Sequence, residues 1–454
     1  MAGIMLVTSC NPKNTQDKSY GSNKNQQMDI IMTVDPGHFH AALVQKIAYD
    51  QISPDVYVYA PEGKDLQQHL ALIKSYNDRP VNPTHWNEIV YTGKDFFQKM
   101  LKDKPGNIVI LAGNNRKKAE YITESVRAGL NVLADKPMII LPEDFPELEE
   151  AFRIAREKGV LLYDIMTERY EVTTILQKEL SHKKEIFGEL IQGTENEPAV
   201  TKESVHHFSK IVSGTQLVRP AWYFDTDQQG EGIVDVTTHL VDLVQWECYP
   251  EQILNPRDVN MVDSKRWPTL ISKEEFKAVT GVSDYPEYLH KDIKNGILNV
   301  FSNGEMTYQL KGTWVKISVE WRYKAPEGGG DTHYSVMHGT ICDLVIKQTS
   351  DENFVPTLYI ENVKGMSLTD FASKLKIALA TLPYDSLIVE KADDKTLRID
   401  IPDKYRVGHE AHFGQVMAKF LGYLEGGKLP EWEVEGMITK YYTTTSALKL
   451  AKGE

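Results

Sequence analysis

A chain of 454 residues is too long for one hydrophobic core and long enough for two or three domains. Its 41% hydrophobic and 25% charged content is that of a globular protein, and 51 basic against 64 acidic residues leave a net charge of −13. An acidic chain without basic blocks offers no electrostatic footprint for nucleic acid or anionic membrane, so a small molecule is the expected partner.

Cys10, Cys248 and Cys342 form no CxxC pair or Cys/His cluster, so neither a zinc site nor a disulfide framework is indicated and no metal is expected. No apolar run reaches the roughly 18 residues of a transmembrane helix. Residues 1–10 end in Val-Thr-Ser-Cys, small residues before a cysteine, which resembles a bacterial lipoprotein cleavage box. Residues 11–27, rich in Asn, Lys, Gln and Ser, would then form a flexible tether. On this reading residues 1–28 are a leader, Cys10 a lipid anchor, and the protein periplasmic or outer-surface. No Lys or Arg precedes the short apolar run, and the alternative is an unstructured N-terminus on a cytoplasmic protein.

Regular structure is expected from Asp29-Ile-Ile-Met-Thr-Val onward, an apolar strand followed by a helix from His40. Further strands are predicted at 55–61, 89–92, 107–113, 131–137 and 160–165, with helices at 64–76, 95–102, 116–128 and 143–157. This alternation predicts an α/β fold: a doubly wound parallel sheet of the Rossmann type over residues 29–165. Residues 166–454 read as an α+β domain with an open, largely antiparallel sheet. Alternating residues at 299–323 suggest a hairpin turning at Asn303-Gly304, with a break at Lys311-Gly312. Helices are expected near 172–184, 233–246, 368–380 and 409–424, and residues 251–296 look like a peripheral insertion.

The stretch richest in chemistry is Gly230–Trp246. Wound as a helix, it sets Asp235, His239 and Asp242 at i, i+4 and i+7, on one face of a mostly apolar helix. Burying a carboxylate with an imidazole is costly unless each has a partner. A proton-handling site would relieve that cost, with Asp235 orienting His239; a satisfied core histidine is the alternative. The first strand–turn–helix reads Asp35-Pro-Gly-His-Phe-His40, matching only the middle glycine of a G-x-G-x-x-G dinucleotide turn, at Gly37. His38, Phe39 and His40 would line that turn, capping it or contacting phosphate, and the spacing of the two histidines does not by itself argue for metal. Glu62 stands where an acid commonly takes the adenosine ribose, although a surface turn explains it as well. Asn114 and Asn115 close the fourth strand and would touch cofactor or cap the next helix. Asp135-Lys136-Pro137 ends a buried strand, so Lys136 is held at the crevice above the sheet, able to steady an alkoxide. His206, His207, Trp222 and Tyr223 would line a sugar pocket or serve as packing. His409 and His412 read as structural or surface residues.

Four segments in register carry a resemblance. Ala128-Gly-Leu-Asn-Val-Leu-Ala-Asp-Lys-Pro137 resembles the AGKHVLCEKP segment of the glucose–fructose oxidoreductase/inositol dehydrogenase/rhizopine-catabolism (Gfo/Idh/MocA) family, and Gly230–Asp242 resembles its GGGxxxDxGxHxxD segment. Glu168-Arg169-Tyr170 is similar to its Arg-Arg-Phe/Tyr element, and Lys184–Glu189 to its GxIGE turn. The departures are Asp35 and His40 for the outer glycines, Asp135 for the acid before the lysine, and Gly-Glu-Gly for triple glycine. The resemblance implies a Rossmann domain with NAD or NADP, an open-faced second domain, and sugar or polyol substrates. It places Lys136, Asp235 and His239 on the catalytic positions; Arg169, Tyr170, His206, Trp222 and Tyr223 are expected to face the substrate together with Asp235 and His239. The expected activity is hydride transfer to or from a secondary hydroxyl. The alternatives are a glycosidase working by transient oxidation and elimination, or a non-catalytic sugar-binding lipoprotein. The free face of the second sheet is expected to pair two copies into a homo-oligomer.

Overall fold

The computed structural model of the protein describes residues 28–212 and 215–454. The expected leader and its Cys10 anchor lie outside them. Six strands form the first sheet: β1 (Ile31–Val34), β2 (Asp55–Ala60), β3 (Asn87–Thr92), β4 (Ile108–Leu111), β5 (Asn131–Asp135) and β6 (Leu162–Ile165). They lie in the order β3-β2-β1-β4-β5-β6, and every pairing is parallel. β1, β4, β5 and β6 are buried along their whole length, which is why they read as unbroken apolar runs rather than alternating ones. The order in which strands are added reverses between β1 and β4, opening a crevice at their carboxyl ends.

The second sheet is mixed. Its central strand, Val200–Ser209, runs parallel to Thr313–Lys324 and antiparallel to Thr332–His338; all other pairings in it are antiparallel. One face packs on the Val172–Ser181, Thr237–Cys248 and Leu368–Leu379 helices in a core holding Phe208, Val241, Ile317 and Phe371.

Four expectations are corrected. Ile297–Leu310 is one continuous strand, and the turn falls at Lys311-Gly312, both at positive φ (51° and 85°). Gly304 is there for close approach: a Cβ on it would lie 2.7 Å from Ile233 Cβ, while one on Gly232 would lie 1.7 Å from the Ser302 carbonyl oxygen. The 251–296 stretch is no insertion, because Val259–Ile271 pairs along Ile297–Leu310 as a thirteen-residue strand. The first helix is only His40–Leu43. A helix unforeseen in the sequence, Glu431–Lys452, joins His409–Glu425 in returning to the first domain, where Phe413, Met417, Phe420 and Tyr441 complete its core. That helix buries Thr439, Lys440, Thr443, Thr444 and Thr445 among Met437, Tyr441 and Leu448, so the apolar stripe is interrupted by polar residues and reads weakly in the sequence.

Candidate active site

A cavity of about 1140 Å³ opens between the two domains at the carboxyl ends of β1, β4 and β5. β5 delivers Asp135 and Lys136 to its floor, and the second domain contributes His206, Tyr223 and His239. Lys136 Nζ donates to Asp235 Oδ1 at 2.6 Å, and Gln229 Nε2 donates to Asp235 Oδ2 at 3.1 Å. Burial alone would raise the Asp235 pKa, but Lys136 and Gln229 hold it below the ordinary carboxylate value. Asp235 precedes the helix, in a turn that Gly232 presses onto Ser302, and the helix itself begins at Thr237.

Asp235 therefore orients Lys136, not His239 as the helical spacing suggested: its two oxygens are taken by the lysine and the glutamine. His239 lines the same cavity with its Nδ1 buried and, among the described residues, without a hydrogen-bond partner. Burial and the nearby Lys136 ammonium depress its pKa to about 4, so the imidazole is neutral at physiological pH, with its basic nitrogen unprotonated.

The turn after β1 reaches the cavity through His38, Phe39 and His40. His40 Nδ1 lies 2.9 Å from Asp135 Oδ2, and His38 Nδ1 lies 3.7 Å from the same oxygen. Burial pushes both imidazoles well below their ordinary pKa. Lys118 Nζ donates to the Asp135 carbonyl at 2.8 Å, and burial lowers its pKa to about 8. Of the two asparagines, Asn115 lines the cavity and Asn114 Nδ2 donates to Gln228 Oε1 at 2.7 Å.

Several expected residues are placed elsewhere. Arg169 is spent on structure rather than substrate: Nε and Nη2 donate to Asp242 at 2.6 and 2.7 Å, and Nη1 to Glu433 at 3.0 and 3.1 Å. Asp242 accordingly faces Arg169 and Lys440 instead of the cavity. Tyr170 packs against the first-domain core, and Glu62 is exposed at the end of β2. Trp222 sits over Gly37, its Nε1 donating to Asp65 Oδ2 at 2.8 Å. His206 does line the cavity, but both its nitrogens are engaged, Nδ1 with Asp331 at 3.0 Å and Nε2 with Ser204 at 3.1 Å. His207 is buried beside the same Asp331 and does not line the cavity.

The sequence reading missed Glu168, His333, His409 and His412, all on the cavity wall. His409 and His412 are three apart on one helix and so share a face, but only the return of that helix to the first domain turns the face inward. Glu168 stood in the Glu168-Arg169-Tyr170 segment without a role of its own, and His333 carried no local signal.

Comparisons with known proteins agree with this architecture. The family described as "Oxidoreductase family, NAD-binding Rossmann fold" (GFO_IDH_MocA) matches residues 56–164, and "Putative oxidoreductase C terminal domain" matches residues 176–452. Among solved structures, a "putative oxidoreductase" from Parabacteroides merdae is 55% identical, covers 94% of this chain and 98% of its own, and superposes with a TM-score of 0.91. Levoglucosan dehydrogenase, solved with NADH and levoglucosan, shares the fold at 11% identity and a TM-score of 0.59, covering 94% of this chain and 98% of its own. KijD10, a 3-ketoreductase from Actinomadura kijaniata solved with NADP, shares it at 13% and 0.53, covering 91% and 95%. Among curated proteins none matches. With the Lys136–Asp235 pair at the end of β5 and both domains matched, the chain belongs to the Gfo/Idh/MocA oxidoreductases, a family with an NAD-binding Rossmann fold.

Proposed function

We propose that this protein moves hydride between NAD or NADP and a secondary hydroxyl of a sugar, glycoside or polyol. The observation that carries this reading is one cavity holding an ammonium clamped by a carboxylate beside an imidazole with a free buried nitrogen. In the oxidation direction neutral His239 accepts the hydroxyl proton, and Lys136, held by Asp235, stabilises the alkoxide as it forms. In reduction the same groups return the proton. A bound nicotinamide would supply the hydride acceptor or donor.

The two ends of the crevice fit such a dinucleotide differently. At the reactive end, Asn115 has a buried Oδ1 without a partner among the described residues, and it would hold the nicotinamide side together with Lys136. At the turn after β1, the space a diphosphate needs is filled. A Cβ on Gly37 would meet the Trp222 ring at 3.1 Å and Asp65 Oδ2 at 3.2 Å. Asp35 and Asp65 add two carboxylates there; burial and Asp65 raise the Asp35 pKa to about 6. The outer half thus accepts a nucleotide only after the segment carrying Trp222 moves.

That cover favours a second reading within the same chemistry. A dinucleotide trapped beneath Trp222 exchanges slowly, which suits a glycosidase that oxidises its sugar, eliminates the aglycone, adds water to the resulting unsaturated ketone and re-reduces it in place. One set of assays decides. With a panel of sugars and glycosides, net reduction of added nicotinamide supports the dehydrogenase, and sugar release without it supports the second reading. In either case His239→Ala and Lys136→Ala lower kcat/KM by at least about 100-fold with the melting temperature preserved. Full activity in His239→Ala overturns the assignment.

A further inference from the structure

The turn after β1 carries two histidines that the proposed function leaves unused: His40 in place of the last glycine of the dinucleotide pattern, and His38 directly after Gly37. The fold brings a carboxylate to both of them. His38, His40 and Asp135 each offer one donor atom, and these atoms lie within 4.8 Å of one another. Asp135 Oδ2 is shared, 2.9 Å from His40 Nδ1 and 3.7 Å from His38 Nδ1. Ligands bound tetrahedrally at the usual 2.0–2.1 Å stand about 3.3 Å apart, so the observed separations bracket those of an ion held between them.

The donors are fixed by their surroundings. His38 N–H donates to the Ala112 carbonyl at 3.2 Å, tying the turn to β4. The His40 ring packs 4.5 Å from the Phe413 ring, and the long 3.4 Å contact from His40 N–H to His38 Nδ1 is one that a bound ion would displace. Asp135 is anchored as the last residue of a central strand. The two nearby ammonium groups are turned away from the shared carboxylate, Lys136 toward Asp235 and Lys118 toward the Asp135 peptide oxygen.

We propose that His38, His40 and Asp135 bind a divalent transition-metal ion of the zinc class. Two imidazoles and one carboxylate suit zinc, cobalt or iron rather than magnesium or calcium, which prefer all-oxygen sets. All three residues line the cavity, so the open coordination position faces the substrate. An ion there polarises a hydroxyl or carbonyl oxygen beside Lys136 and His239 as a Lewis acid. The site does not depend on the hydride-transfer reading, since its test counts metal rather than turnover.

The test uses the full-length protein stripped with a chelator and then dialysed against zinc chloride or cobalt chloride. The expected result is about one ion per chain by elemental analysis, with the visible spectrum of a low-coordinate, nitrogen-ligated cobalt(II). Affinity falls at least about 100-fold in His40→Ala and in the isosteric Asp135→Asn, and is kept in His409→Ala, which alters the same cavity outside the triad. Less than stoichiometric uptake by the unaltered protein, or equal affinity in the His40 and Asp135 variants, overturns the proposal. The unaltered protein's cobalt spectrum decides the matter if a variant fails to fold.

Discussion

His239 shows how far burial can move one group. Its folded-state pKa of about 4 lies below the 6.5 of a free histidine, so between those values the unfolded chain binds more protons than the folded one. The stability this imidazole contributes is therefore complete above about 6.5 and is lost as pH falls toward 4. A shift of this size corresponds to an upper bound of about 3 kcal/mol. His239→Gln should consequently lose less stability than the unaltered protein between neutral pH and about 4.5, as read by urea denaturation. Burial sets the shift, Lys136 and His409 add to it and Glu168 and Asp135 oppose it; all four of these neighbours remain in the variant. Equal pH slopes for the two proteins would show that His239 titrates normally. That His239 is a candidate for the site was legible from its apolar neighbours and its place after the Gly-Glu-Gly segment, and it does line the cavity; that Lys136 rather than His239 claims Asp235 was not legible. The competing donor sits 99 residues away from that carboxylate.

The Thr237–Cys248 helix divides its polar residues between two tasks. His239 serves the cavity, while Asp242 enters a buried network with Arg169, Glu433, Lys440, Asp164 and Tyr441. Spacing alone puts Asp235, His239 and Asp242 on one stripe, but an arginine before one helix and a lysine from the last one recruit the third. Breaking one partner of a buried ion network leaves charge uncompensated, which costs about 3–5 kcal/mol. Asp242→Asn should destabilise the protein by that amount in denaturant titration, far beyond a surface Asp→Asn change. It also joins elements otherwise distant in the chain, Glu168–Tyr170, Thr237–Cys248 and Glu431–Lys452, so its loss should lower unfolding cooperativity as well.

At the scale of the molecule, the two domains are latched across the crevice. Asn115 N–H and Nδ2 donate to the carbonyls of Gln228 and Gln229 at 2.8 and 2.7 Å, and Arg116 reaches Asp225 at 3.4 Å. Together with the Trp222–Asp65 bond they hold residues 222–229 over the carboxyl ends of β1 and β4. Any dinucleotide has to displace this cover. Trp222→Gly should raise the affinity for NAD or NADP at least about tenfold by calorimetric titration, because the energy otherwise spent lifting the indole is recovered. Unchanged affinity would mean that the indole does not obstruct the nucleotide.

Local periodicity and turn chemistry carried the doubly wound sheet, the change to an antiparallel domain, and the positions of Lys136, Asp235 and His239. Those features depend on residues near one another in the chain. The sequence could not say that Gly304 makes room for Ile233 instead of forming a turn, that Arg169 is consumed by Asp242 and Glu433, or that His409 and His412 face the cavity. Nor could it bring Asp135 to His38 and His40, nearly a hundred residues earlier. Each of these follows from packing between segments far apart in the chain. Partner choice there is set by which buried charge or surface lies within reach once the cores have formed, and no local pattern records that outcome.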